Sequence, residues 1–165
     1  MSQALTQKGA KFYIAVDVSN NPVPQNSDLS LSAYDGLTWL QVVGVGNFGE
    51  TGVTQNLPTY DELATEVTQK GKGIANAGDP VVECRRIGSD LGQIAMRAAA
   101  LVANQNNYAF KYELSDKPDG GTNGTIRYNR GVVTGPTHPN GGNEDFDLEN
   151  YSLGLNQEQI VKEAA

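Results

Sequence analysis

Few residues of this chain have types and spacing that could support chemistry, and a glycine-rich stretch comes first. Gly44-Val45-Gly46-Asn47-Phe48-Gly49 matches G-x-G-x-x-G directly after a predicted strand. Glu66 follows at about 20 residues, where a ribose-binding acid stands in dinucleotide sites. Such a site needs its last glycine to open a helix whose N-terminus holds the pyrophosphate. Here Gly49 leads into E-T-G-V-T-Q-N-L-P, which has no apolar helical stripe and reaches Pro58. The glycines therefore read as a flexible loop or tight bend.

The other reactive types read in the same plain way. His138 and Cys84 are the one histidine and the one cysteine, too few soft ligands for a zinc site. A Cys84–His138 catalytic pair is disfavoured because Cys84 lies mid-strand, where a small buried thiol is the common finding. Asp61 with Glu62, and the run Glu144, Asp145, Asp147 and Glu149, have the residue type of glycosidase carboxylates. A solvated face or an electrostatic lining is the commoner use of such runs. Asn123-Gly124-Thr125 is a glycosylation sequon only in a secreted protein. The N-terminus lacks an apolar h-region with a cleavage site, and a lone cysteine forms no internal disulfide, so synthesis and retention in cytoplasm are expected. No enzyme activity, metal or cofactor is expected.

Hydrophobic periodicity gives the elements that would have to position these groups. Lys11–Val18 alternates as a half-buried strand, with Phe12, Ile14, Val16 and Val18 on one face. Residues 19–37, rich in Pro, Ser, Asn and Asp, read as loop, and Thr38–Val43 as a second strand. From 44 to 80 the chain is weakly apolar, with one short strand predicted at Glu62–Thr68, and so long a connection is usually functional or ordered by a partner. Strands are then predicted at Val81–Ile87, Tyr108–Leu114, Thr125–Thr134 and Leu148–Leu155, with a turn over Asp116–Gly124. The firmest helix follows Ser89 or Asp90 as cap, with an apolar stripe of Leu91, Ile94, Ala95, Ala98, Leu101 and Val102.

The whole chain has 165 residues, enough for one domain and a substantial core. Its 19 glycines, set mostly between apolar runs, point to many turns and short strands. With 12 Lys and Arg against 19 Asp and Glu, the net charge is -7, which disfavours sequence-reading nucleic-acid binding. No apolar run is long enough to cross a bilayer. An acidic, β-rich domain with one helix, long loops and no convincing active site points to a structural role.

From Gly88 onward the chain resembles the major tail tube proteins of long-tailed, lambda-like bacteriophages. The residues that carry the resemblance are the capped helix G-S-D-L-G-Q-I-A-M-R-A-A-A-L-V-A-N-Q-N, the strand Y-A-F-K-Y-E-L-S-D, a Gly-rich hairpin turn, G-T-I-R-Y-N-R-G-V-V-T-G, and the closing strand N-Y-S-L-G-L-N. The resemblance implies a mainly β domain over 1–165, a β-sandwich or partly closed barrel with one flanking α-helix. It also implies homo-hexameric rings stacked into a hollow tube. Double-stranded DNA would pass through that tube without specific binding, and an acidic wall would keep it from sticking.

The segment at about 44–80 would be a ring-stacking arm, with Gly44, Gly46, Phe48, Gly49 and Tyr60 as candidates. Glu62, Glu66, Glu83 and Glu149 are the candidate lumen acids. The first ten residues and the tail from Gln157 would adjust on assembly. A tape-measure protein and tail initiator and terminator proteins are the implied partners, with assembly in the host cytoplasm and residence in the virion tail. A contractile tail, a type VI secretion system or a gene transfer agent would use a similar subunit. A small β-barrel ligand-binding protein is the rival from another class and would need a concave apolar pocket.

Overall fold

The computed structural model describes residues 4–165. In chain order its elements are β1 (Lys11–Ala15), α1 (Leu31–Asp35), β2 (Trp39–Val42), β3 (Val45–Phe48), β4 (Thr54–Gln55), β5 (Thr59–Tyr60), β6 (Gln69–Lys70), β7 (Ala75–Asn76), β8 (Val81–Arg85), α2 (Leu91–Ala99), β9 (Tyr108–Glu113), β10 (Ile126–Thr137), β11 (Leu148–Leu155) and β12 (Ile160–Lys162). The expected mainly β architecture with a flanking helix is present. Eight strands form one antiparallel sheet in the order β2-β1-β9-β10-β11-β8-β3, with β12 pairing to β10. The sheet is not a closed barrel. Its two rim strands, β2 and β3, are nevertheless consecutive in the chain and joined only by Val43 and Gly44. That connection obliges the sheet to roll until its rims meet.

Side-chain alternation sorts the sheet into two faces. Phe12 and Ile14, Phe110, Val133, Tyr151, Leu153 and Leu155, Val82 and Cys84 all point to the inner side, where Ala95, Met96, Ala99 and Ala100 of the α2 region complete the core. The opposite parity is also partly buried. Ala15, Ala109, Ile126 and Tyr128 lie under Tyr34 of α1, with Leu29, Leu37, Trp39 and Ile160 around them. The Tyr34 and Tyr128 rings stack at 4.8 Å. Residues 19–37 are thus a cover for the outer face, not a plain loop, and they contain a helix capped by the Ser30 side chain.

The predicted strand Lys11–Val18 stops at Ala15. Val16 makes only an isolated bridge to Pro22, and Val18 is exposed. The tail from Gln157 is docked: β12 pairs with Ile126–Tyr128, and Ala165 accepts from the Thr122 and Asn123 amides. Of the N-terminal ten residues, Gln7 accepts from the Tyr112 hydroxyl and Lys8 from Ser115, while residues 1–3 lie outside the described part.

Helix α2 holds the clearest departure from the sequence expectation. It is capped by Asp90, whose side chain accepts from the Gln93 amide, and it ends at Ala99. The buried side is Gly92, Gln93, Ala95, Met96 and Ala99, whereas Leu91, Ile94, Leu101 and Val102 of the predicted stripe are exposed. The reason is distance. A Cβ at Gly92 would run into the Gln41 carbonyl, so only small residues let the helix lie this close to β2. Gln93 exploits the approach: its amide donates to the Val43 carbonyl at 2.6 Å and the Arg85 carbonyl at 2.8 Å, and its Oε1 accepts from the Ile87 amide at 2.9 Å. One buried side chain thereby fastens the β2–β3 turn to the end of β8.

Between β3 and β8 the chain leaves the sheet as a long hairpin. Thr54 and Gln55 pair with Asn76 and Ala75, and further out Thr59 and Tyr60 pair with Lys70 and Gln69. The predicted strand Glu62–Thr68 is instead the turn at its tip, where the Thr65 amide donates to the Glu62 carbonyl at 3.3 Å. The hairpin's root is held by the Leu153 and Leu155 amides, which donate to the Pro80 and Gly78 carbonyls.

Candidate assembly surfaces

Placing the arm candidates in this frame moves most of them into the body. Gly44 occupies the turn between β2 and β3 at φ +89°, where a Cβ would stand 2.9 Å from the Arg85 carbonyl oxygen. Gly46 and Phe48 belong to β3, and Gly49 donates its amide to the Val81 carbonyl. Phe48 packs on Phe12 and Tyr112 with ring centroids 5.0 and 5.1 Å apart. Of the five, only Tyr60 lies on the projecting hairpin, so the arm runs from about residue 50 to 79. The G-x-G-x-x-G stretch is therefore a turn and a rim strand, with no helix N-terminus to receive a pyrophosphate.

The arm is a surface without a core. Val53, Leu57, Tyr60, Leu63, Val67 and Ile74 are all exposed. Among the described residues, no hydrogen bond or ion pair joins 53–76 to the sheet. The accessible surface of the chain is 10263 Å², against about 7,900 Å² for a compact monomer of this size. Solvent also reaches the Leu91, Ile94, Leu101 and Val102 side of the α2 region.

The lumen candidates do not share one surface. Glu62 and Glu66 flank the arm tip, and Glu83 lies with Val81 and Arg85 on the uncovered face of β8. Glu149 is corrected outright: it has the parity of Tyr151 and Leu153, faces inward, and is 2% exposed. Its carboxylate accepts from Arg97 Nε at 3.1 Å, Arg86 Nε at 3.2 Å and the Tyr151 hydroxyl at 2.6 Å. Burial opposes its ionisation, but the Tyr151 and Arg97 hydrogen bonds and the Arg97 charge outweigh it and hold the carboxyl below its usual range.

Burial, with the neighbouring Glu149 charge, pushes the Cys84 thiol up to about 12. It is protonated at neutral pH, which removes the nucleophile from a Cys84–His138 pair. His138 sits exposed beyond β10, its Nδ1 3.3 Å from the Leu148 carbonyl oxygen. Among the described residues, no three His, Cys, Asp or Glu side chains gather as metal ligands, and no helix is long and apolar enough to cross a membrane.

One concavity, of about 480 Å³, is an open groove beside β3 lined by Gln7, Phe48, Tyr112, Arg127 and Gln159. It is of mixed polarity, unlike the apolar pocket expected of a ligand-binding barrel. Sequence reasoning missed Gln93, Arg86 and Arg97. The signal for the first was its place between Gly92 and Ala95 on a helix face of small residues.

No family model and no curated protein matches the chain by sequence. Solved structures match by shape over nearly its full length. A chain of the sheath/tube terminator of an extracellular contractile injection system, PVC, in the extended state, superposes with a TM-score of 0.68 at 9% identity, covering 98% of this chain and 99% of that one. A chain of the PVC sheath-tube complex in the extended state gives 0.67 at 8%, covering 99% and 95%. One from the six-fold symmetrised baseplate of the anti-feeding prophage gives 0.68 at 8%, covering 99% and 98%. The chain has the fold found in these phage-tail-like assemblies.

Proposed function

We propose that this chain is a self-assembling tube subunit of a phage-tail-like particle, with copies closing into a hexameric ring and rings stacking into a hollow conduit. The observation that carries the reading is the arm: a projecting hairpin with every large apolar side chain in solvent, on a chain with about 2,300 Å² more surface than a compact monomer needs. That excess is of the size that stable interfaces bury. The fold likeness to chains of contractile injection assemblies supports the same reading, and it favours the contractile relatives of the tail tube over the lambda-like tails first expected.

Two features of the body suit ring closure. The rim strands β2 and β3 each pair on one side only, so their outer backbone groups are available to a neighbour. Glu83 remains the candidate for a lumen-facing acid on the open sheet face. In a phage the cargo would be double-stranded DNA, passing an acidic subunit without being held. Length-setting, initiator and terminator proteins would be the partners, and the particle's tail the location.

The test is negative-stain electron microscopy with sedimentation velocity on the purified full chain, concentrated and incubated. Rings or tubes are the expected result. A monomer at every concentration reached would overturn the reading.

A further inference from the structure

We infer that the arm tip of one copy docks into a cleft beside Arg86 and Arg97 of a second copy. This rests on the self-assembly reading and names the contact that serves it.

The cleft, of about 380 Å³, lies where the end of the α2 region meets the β10–β11 connection, and it is lined by Arg86, Arg97, Leu101, Val102, Pro136 and His138. Glu149 at its floor is the one carboxylate paired with either guanidinium. Two cations against one anion leave a positive site on a chain of net charge -7. Arg86 engages only its Nε, and its terminal nitrogens have no partner among the described residues. Glu144, Asp145 and Asp147 are near in sequence to Glu149, yet none forms an ion pair with Arg86 or Arg97. Exposed Leu101 and Val102 give the charged floor an apolar rim.

The arm tip has the complementary composition in one compact turn. Asp61, Glu62 and Glu66 are exposed and unpaired among the described residues, and they alternate with Leu63 and Val67, whose side chains stand in solvent. An acid beside an apolar group faces, in the cleft, a guanidinium beside an apolar group. Docking would desolvate the charges together with the apolar groups, which strengthens the ion pairs relative to exposed ones. The occupant is a second copy because, among the described residues, no hydrogen bond or ion pair joins the tip to the body of its own chain. From Thr51 to Asp61 an extended leg covers about 33 Å at the usual strand rise, a reach comparable with the subunit's own diameter.

Mixed full-length chains test this directly. One carries L63C, the other V102C, and both retain Cys84, which is buried. Under mild oxidant the L63C and V102C chains should form a disulfide-linked heterodimer at least ten-fold faster than V102C with V18C, a control matched in exposure because Val18, like Leu63, stands fully in solvent. In parallel, R86E and E62K/E66K should each raise the concentration needed for assembly at least ten-fold, and the three substitutions in one chain should restore it. Circular dichroism melts check that every variant is folded.

Normal assembly of all variants without selective cross-linking overturns the docking contact and leaves the tube reading standing. Selective cross-linking without high-mass species supports the contact and overturns the tube. No selective cross-linking, together with no high-mass species from the unsubstituted chain, overturns both.

Discussion

The rolled sheet and the arm are built from one chain by opposite rules. In the sheet, Phe12, Ile14, Phe110, Tyr151 and Leu153 disappear from solvent, and the one inward carboxylate, Glu149, is met by three donors. In the arm, two short ladders satisfy some of the backbone while Leu57, Leu63 and Ile74 stay largely in solvent. A two-stranded ribbon is marginal in water without a face to pack on. The body therefore carries the folding free energy, and the arm's exposed apolar side chains add little to it in the isolated chain.

The comparison breaks most decisively if the arm is cut away. Gly52 and Gly78 lie close together, a Cβ on Gly78 standing 3.8 Å from the Gly52 carbonyl oxygen. Excising 53–77 and joining these glycines should leave a folded body with a melting temperature within a few degrees of the parent, while high-mass assembly is lost; a body that unfolds would show that the arm stabilises it. In the sheet, Glu149→Ala leaves the mostly buried Arg97 without its carboxylate, and half-exposed Arg86 with it, and should cost about 3 kcal/mol, a drop of roughly 6–12 °C in the melting temperature for a chain of this length. A calorimetric scan checks it, and a shift under 2 °C would place the carboxylate's partners in solvent.

A smaller effect concerns acid. Because Glu149 is held below its ordinary range, its contribution to stability is present above the usual carboxylate pKa and is lost as pH falls through the lowered value. Denaturant midpoints measured from about pH 5 down to pH 2 should decline in the parent more steeply than in Glu149→Gln. The smallest change in stability belongs to the arm: Ile74→Ser should alter it by less than about 0.5 kcal/mol, as exposed substitutions do. The same variant should assemble more weakly than the parent in sedimentation velocity.

The body was legible in the sequence wherever side-chain size and hydrophobicity agree. Tyr108–Glu113 and Leu148–Leu155 fell where period-2 alternation put them, and Asp90 capped the helix where a short polar acceptor was expected. The alternation of Tyr151, Leu153 and Leu155 extended back by one step would also have turned Glu149 inward. Two other features were hidden by the signal itself. A hydropathy stripe ranks Leu91 and Ile94 above Gly92 and Ala95, yet close approach to β2 selects the small residues and leaves the large ones outside. The arm is illegible for a related reason: Leu57, Leu63 and Ile74 have no partner within the chain, so no periodicity develops against a core.

The turn at Val43 and Gly44 sets how this subunit bears load. Across most of the sheet, strands pulled apart sideways resist through rows of hydrogen bonds, which break and re-form. Between the two rims the resisting element is the peptide chain itself, with Gln93 tying the turn to Arg85. Tension around the circumference is therefore carried by covalent bonds at the one place where the ladder is open, and the subunit behaves as a hoop with a welded seam.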